Sequence, residues 1–275
     1  MLDLIHFTNL WSEIRGTQKE SEAYWDGRAD FFNNMKDLQE RKQRQSTVIN
    51  KLIEKNIINE HSLVLDIGCS VGNYTVDFAK KTKHATGTDI SGKALTLAEN
   101  YAHQQGVNNI TFVKSDWQDI LLSDRGWEKH FDLVFAAMCP GISNRKTLEK
   151  MTEASKGYCL LSMFASREDS VRNELARLCG LQSFDLHHTG NSIYCIFNIL
   201  WLLGLYPEIR LENSTWENTF SLEDAIKHYT SMLGGTALTA EHKIIIRKYL
   251  ASHAEDNIIT EKISSKIAWI GWEAN

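Results

Sequence analysis

Residues 64–74 read V-L-D-I-G-C-S-V-G-N-Y. An apolar run carries Asp66 and then breaks at Gly68 and Gly72, with Cys69, Ser70 and Asn73 around them. Glycines at such a break let the backbone turn tightly and approach a ligand closely. A phosphate loop needs G-x-x-x-x-G-K-[ST]. Here the second glycine comes four residues after the first, and Asn73 replaces the lysine. A dinucleotide fingerprint needs G-x-G-x-x-G, yet Ser70 and Asn73 occupy two of its three glycine places. A second acid, Asp89, lies 21 residues after Gly68 and is followed by Ile90. That is close to the spacing of about 20 expected for an acid that grips a ribose. A carboxylate can accept from both ribose hydroxyls at once. An ordinary helix cap is the competing explanation of D-I-S-G-K, and the two roles can coexist on neighbouring residues. Further on, S-D-W supplies an acceptor in Asp116 and a flat apolar surface in Trp117.

These residues need elements to hold them. L-V-L-D-I (63–67), H-A-T-G-T-D-I (84–90), N-I-T-F-V (109–113), F-D-L-V-F-A-A (131–137) and Y-C-L-L-S-M-F-A (158–165) read as strands. Helical patterns separate them over 72–83, 93–105, 145–155 and 167–178. Apolar strands alternating with helices imply a parallel sheet covered on both faces. The expected fold is α/β: a doubly wound, seven-stranded, mostly parallel sheet with a helical N-terminal leader and a helical cap in the C-terminal third. Residues 1–60 form the leader or lid, 61–180 the Rossmann-like binding core, and 181–275 the remaining strands with the cap. Within the last segment, helices are expected over 191–204, 221–233 and 240–251, a short strand near 208–212 and a closing strand over 266–272. Ligands of such sheets bind beyond the carboxyl ends of the strands, which is where the glycine turn falls.

The glycine turn, the strand-end acid, S-D-W and F-D-L-V-F-A-A, in that order, resemble the class I S-adenosylmethionine-dependent methyltransferases. The resemblance covers roughly residues 63–165. It implies S-adenosyl-L-methionine as cofactor and S-adenosyl-L-homocysteine as product. Asp66, Gly68, Cys69, Ser70, Gly72 and Asn73 would wrap the methionine end. Asp89, with Ile90 beside it, would hold the ribose, Asp116 and Trp117 the adenine, and Ala136 is a further cofactor-binding candidate. Ser70 departs from the middle glycine of the family motif. The leader motif Y-W-D-G-R-A resembles, more distantly, small-molecule methyltransferases whose N-terminal helix folds over the cofactor, which brings in Tyr24, Trp25 and Arg28.

Methyl transfer from a sulfonium is an in-line displacement, so placement of the nucleophile and exclusion of water matter most. No catalytic dyad is evident and none is assigned. The acceptor is expected near the end of the fourth strand, at Met138 and Cys139. Base-amino methyltransferases carry [DNS]-P-P-[YFW] there, whereas this chain reads M-C-P-G. Cys139 precedes a proline instead of following one, so a pocket-wall thiol is expected over a nucleophile. His188, with neighbouring His187, and the helical face of Tyr194, Asn198 and Trp201 are further candidates for the acceptor pocket.

The 275 residues are 43% apolar with a formal charge of −5. That balance disfavours a broad nucleic-acid surface, and a small or medium organic acceptor is expected, the alternatives being a methyltransferase of RNA or protein and a fold that binds S-adenosylmethionine without turnover. The basic stretch 36–55 is the exception, and a solvated helix face accounts for it. Five widely spaced cysteines give no metal-ligand pattern, and the apolar run 193–206 is too short to span a bilayer. No signal peptide is apparent, so no metal, no membrane and a cytoplasmic location are expected.

Overall fold

The computed structural model describes residues 3–11, 18–34, 39–181, 189–234 and 237–274. Three helices lead: α1 (Leu4–Leu10), α2 (Gln18–Asn34) and α3 (Gln39–Glu54). Strand and helix then alternate through β1 (Leu63–Ile67), α4 (Asn73–Ala79), β2 (His84–Asp89), α5 (Gly92–Gln104) and β3 (Ile110–Lys114). After these come β4 (Phe131–Ala137), α6 (Arg145–Ala154), β5 (Ser155–Asp169), α7 (Ser170–Leu178) and α8 (Thr189–Leu202). The chain closes with β6 (Glu208–Ser221), α9 (Leu222–Met232), α10 (Ala240–His253) and β7 (Ile258–Glu273).

The seven strands form one mixed, mostly parallel sheet in the order β3-β2-β1-β4-β5-β7-β6. β1 pairs in parallel with β2 on one side, Asp66 opposite Gly87, and with β4 on the other, Asp66 opposite Phe135. The strand order therefore reverses beside β1, which makes its carboxyl end the switch point where ligands of open α/β sheets bind. Val64, Leu65 and Ile67 are buried, as a strand covered on both faces requires. α5 starts on Ser91, whose hydroxyl accepts from the Ala94 amide, and gives way at Gly106 in the left-handed region. α6 starts on a capping box between Asn144 and Thr147.

Two compact units divide the chain. One comprises residues up to Met163 together with Tyr194–Arg210 and Trp269–Asn275. In it Phe78 and Trp269 both pack their rings against Phe135, and the Trp272 indole donates to the Thr152 hydroxyl at 2.9 Å. The other comprises Phe164–Ile193 and Leu211–Ala268. Its core gathers Leu175, Ala225, Tyr229, Ile246, Leu250 and Ile259. There the Arg167 guanidinium clamps the buried Asp169 carboxylate through two bonds, of 2.7 and 2.9 Å.

Three strands run longer than their sequences suggest. β5 continues to Asp169, β6 to Ser221, and β7 begins at Ile258. Buried polar residues hide the alternation from a reading of apolar periodicity. In β7, Ile259, Glu261, Ile263 and Ser265 alternate inward, so two of these four buried positions are polar. In β6 the buried position is Asn218.

Candidate functional site

The turn after β1 is built by three residues in the left-handed region: Gly68 (φ 68°), Ser70 (φ 52°) and Gly72 (φ 80°). Gly68 and Cys69 both donate their amides to the Thr88 carbonyl, at 2.7 and 3.0 Å, which ties the turn to β2. A side chain at Gly68 would put its Cβ 2.5 Å from the Cys139 sulfur. At Gly72 it would meet Ala98 at 2.9 Å and the Phe112 ring at 3.1 Å. Both glycines are thus demanded by backbone angle and by space. Ser70 holds its positive φ while its amide donates to Asp89 Oδ2 at 2.9 Å.

Asp89 also accepts from the Ser91 amide through Oδ1 at 2.9 Å. A carboxylate has about four lone-pair directions, so acceptor capacity toward a ligand remains. Asp66 is buried at the end of β1, where its Oδ2 accepts from the Thr75 hydroxyl at 2.6 Å. Burial pushes the Asp66 carboxyl up to about 7; the Thr75 hydroxyl opposes this and the charge of Asp89 adds to it. Burial likewise raises Asp89, against the backbone amides of Ser91, Ser70 and Ile90. The crevice therefore holds two desolvated acids whose opposing partners are a hydroxyl and amides. A cationic ligand would relieve this field, and a pyrophosphate would add to it. Beside them, Asn73 Oδ1 is buried without a hydrogen-bond partner within the protein.

Asp116 and Trp117 follow β3 and are buried. The Trp117 indole donates to the Thr147 carbonyl at 3.0 Å. The Cβ of Trp117 would lie 3.5 Å from a Cβ added at Gly141, so the loops after β3 and β4 adjoin. Ala136 is buried inside β4. Met138 takes φ 54° and donates its amide to the Ser162 carbonyl at 2.9 Å. Burial pushes the Cys139 thiol up to about 12, with the charge of Asp89 adding to it. A thiol so raised is a poor nucleophile, in keeping with a wall residue.

The leader helix α2 reaches this end of the sheet through charge. Asp26 accepts from the Ser91 hydroxyl at 2.5 Å and the Lys93 amide at 3.2 Å. Lys93 pairs with Asp30 at 2.6 Å and Lys114 with Glu22 at 2.5 Å. Asp26, absent from the residues picked out by motif, is the α2 side chain that joins the Asp89 segment. It stands within W-D-G-R, where its spacing alone does not point to Ser91. Tyr24 and Trp25 meet edge to face, and Arg28 lies over Tyr24, Phe31 and Phe32 at 5.4 to 5.8 Å. On α8, Asn198 turns back to the Tyr194 carbonyl at 2.7 Å, and Trp201 stacks with Phe197. Tyr194 and Trp201 are half exposed, and Tyr194 meets Phe7 of α1 edge to face. His187 and His188 lie outside the described residues. Among the described residues no cluster of three or more His, Cys, Asp or Glu could hold a metal, and no helix is long and apolar enough to cross a membrane.

A family model described as "Methyltransferase domain" matches residues 58–199, more than half of the chain. The chain belongs to that family. Its class is that of the S-adenosylmethionine-dependent class I methyltransferases. Among solved structures, the YcgJ protein of Bacillus subtilis shares the fold with a TM-score of 0.51 and 17% identity, over 82% of this chain and 96% of that one. A tRNA (guanine-N(7)-)-methyltransferase of Christiangramia forsetii is 36% identical over 59 residues, 21% of this chain and 26% of the relative. A 2-heptyl-1-hydroxyquinolin-4(1H)-one methyltransferase of Mycobacteroides abscessus is 37% identical over 66 residues, 24% of this chain and 28% of the relative. The match thus spans about a quarter of the length of these curated relatives.

Proposed function

We propose that this methyltransferase binds S-adenosylmethionine in the crevice over β1 and β2 and transfers its methyl group to a small or medium organic molecule. The observation that carries the cofactor half is the acid pair of buried Asp66 and half-buried Asp89: desolvation raises both, the charge of Asp89 adds to Asp66, and the charge of Asp26 adds to Asp89. The sulfonium and ammonium of the donor are the charges that such a pair lacks. Asp66 and the turn of Gly68, Cys69, Ser70, Gly72 and Asn73 take the methionine end, and the orphaned Asn73 Oδ1 accepts from the ammonium. Asp89, beside Ile90, accepts from the ribose hydroxyls. Asp116 accepts from the adenine amine, with Trp117 and Ala136 behind the base. Tyr24, Trp25 and Arg28 ride on the helix that Asp26 fastens to Ser91.

When bound, the cofactor supplies an activated methyl group. The chain's own part is to orient the acceptor and keep water out, with Met138 and Cys139 lining the approach. No side chain is assigned as base.

The formal charge of −5 supports a small acceptor, since phosphate contacts need a positive track. Tyr194, Asn198 and Trp201 on α8 would present aromatic surface to an organic acceptor, and the named quinolone relative acts on such a compound. A second reading, RNA, draws on the named tRNA relative and on Arg41, Lys42, Arg44 and Lys51 of α3. A cytoplasmic location accords with five buried free cysteines. Labelled donor incubated with a metabolite extract and with bulk tRNA separates the acceptor readings. Label in small organic products supports the first, and label confined to RNA overturns it.

A further inference from the structure

Lys150 lies on α6, outside the turn and the acids of the candidate site. Its ammonium donates to three backbone carbonyls of one loop: Trp117 at 2.9 Å, Gln118 at 3.1 Å and Ile120 at 2.8 Å. The same ammonium lies 5.7 Å from the centre of the Trp117 ring. The loop itself is a single helical turn, since the amides of Asp119 and Ile120 both donate to the Asp116 carbonyl. A turn of this kind ends in carbonyls that have no partner along the chain, and a cation is what stabilises them. Burial pushes the Lys150 pKa down, while Asp119, Glu153 and Asp116 around it oppose this and favour the charged form.

The rest of α6 holds the same loop from its first turn. The Trp117 indole donates to the Thr147 carbonyl at 3.0 Å, and the Gln118 side-chain Nε2 donates to the hydroxyl of Ser143, just before α6, at 3.0 Å. Thr147 and Lys150 are three residues apart, so they share a helix face. Within the loop, Asp116 Oδ1 accepts from the Gln118 amide at 2.9 Å. Fixing the backbone at 117, 118 and 120 therefore fixes the direction of the Asp116 carboxylate.

We propose that Lys150 is a positioning residue for the adenine end of the site, acting through the loop 116–120 so that Asp116 and Trp117 are set for the base before the donor arrives. This rests on the reading of Asp116 as the acceptor for the adenine amine. Pre-ordering a loop removes an entropic penalty from binding, so the effect falls on donor affinity and leaves the chemical step alone. An arginine cannot replace it fully. Its donors lie in a planar fork, whereas the three carbonyls converge on one point.

The test is titration calorimetry with S-adenosylhomocysteine and with its analogue bearing hydrogen in place of the purine amine. The wild-type chain is expected to prefer the parent compound by about tenfold, the worth of one hydrogen bond to a charged acceptor. In Lys150→Met the parent should bind about tenfold more weakly and the preference should shrink to below about threefold, with the turnover number at saturating donor unchanged within about twofold. General loosening of the fold would weaken both ligands alike and keep the ratio. A Lys150→Met chain that keeps the wild-type preference overturns the inference. Should Lys150→Met not fold, Lys150→Arg carries the test: an intermediate ratio supports the proposal and an unchanged one overturns it. A wild-type chain that binds both ligands equally instead removes the adenine assignment of Asp116, and this inference with it.

Discussion

Replacing Asp66 by Asn probes the electrostatics of the crevice. In the folded chain the Asp66 carboxyl is pushed from 3.8 up to about 7, chiefly by burial, with the charge of Asp89 adding and Thr75 opposing. A cation seated against Asp66 and Asp89 favours the ionised acid, so binding the donor expels a proton wherever Asp66 is still protonated. Donor affinity should then strengthen as pH rises through the range below about 7, by up to about tenfold per pH unit, and level off above it. The α-amino group of the donor titrates near 8, so a window of about pH 5.5 to 7 isolates the protein's acid. Asn keeps the shape and the Thr75 contact but has no proton to lose, so Asp66→Asn should show a nearly flat profile in that window. Calorimetry in two buffers of different ionisation enthalpy reads the released proton directly. The same acid sets a stability trend in the unliganded chain. Because the folded carboxyl binds its proton more tightly than the unfolded one, its contribution is present below about pH 4 and is lost as pH rises to about 7. The gap from 3.8 to about 7, at about 1.4 kcal/mol per pH unit, caps the loss at roughly 4 kcal/mol. Identical slopes of donor affinity in wild type and Asp66→Asn would refute the reasoning.

Asp89→Ala removes the acceptor for the Ser70 and Ser91 amides as well as for the ribose; donor binding should weaken by about 1 to 3 kcal/mol in calorimetry, and an unchanged titration would remove the ribose assignment. Gly68→Ala meets a positive φ, the Cys139 sulfur at 2.5 Å and the Cys139 Cβ at 2.9 Å; thermal unfolding should show a loss of about 2 kcal/mol or more, of which Cys139→Ala restores only the part due to the sulfur, since the Cβ contact and the backbone strain remain. Cys139→Ser should retain most of the turnover, because a thiol raised to about 12 is not the nucleophile; abolished turnover with intact donor binding would contradict this.

The placement of the candidate residues at strand ends could be read from the sequence because their signals are local. The glycine turn, Asp89 and Asp116 each sit within a few residues of a strand end, and mostly apolar runs mark β1 and β4. What escaped reading is held by contacts distant in sequence. Asp26 meets Ser91 across 65 positions, and Thr75 meets Asp66 across a turn that only the fold closes. The long halves of β6 and β7 escaped for a different reason. Inward positions such as Asn218, Glu261 and Ser265 are polar, so the period of two carries no apolar signal. Ser70 shows the converse: the family pattern puts glycine there, yet the chain holds φ 52° with a serine, tied down by the Asp89 carboxylate. The aromatic stripe of α8 was legible as a face, but what it faces depends on tertiary placement that no spacing encodes.

The most direct measurement of the central claim is a crystal structure of the chain grown with S-adenosylhomocysteine. The ribose is expected against Asp89, the base between Asp116 and Trp117, and the amino-acid tail along Gly68 to Asn73. Density for the ligand at any other place, or a bare crevice at saturating concentration, would contradict it.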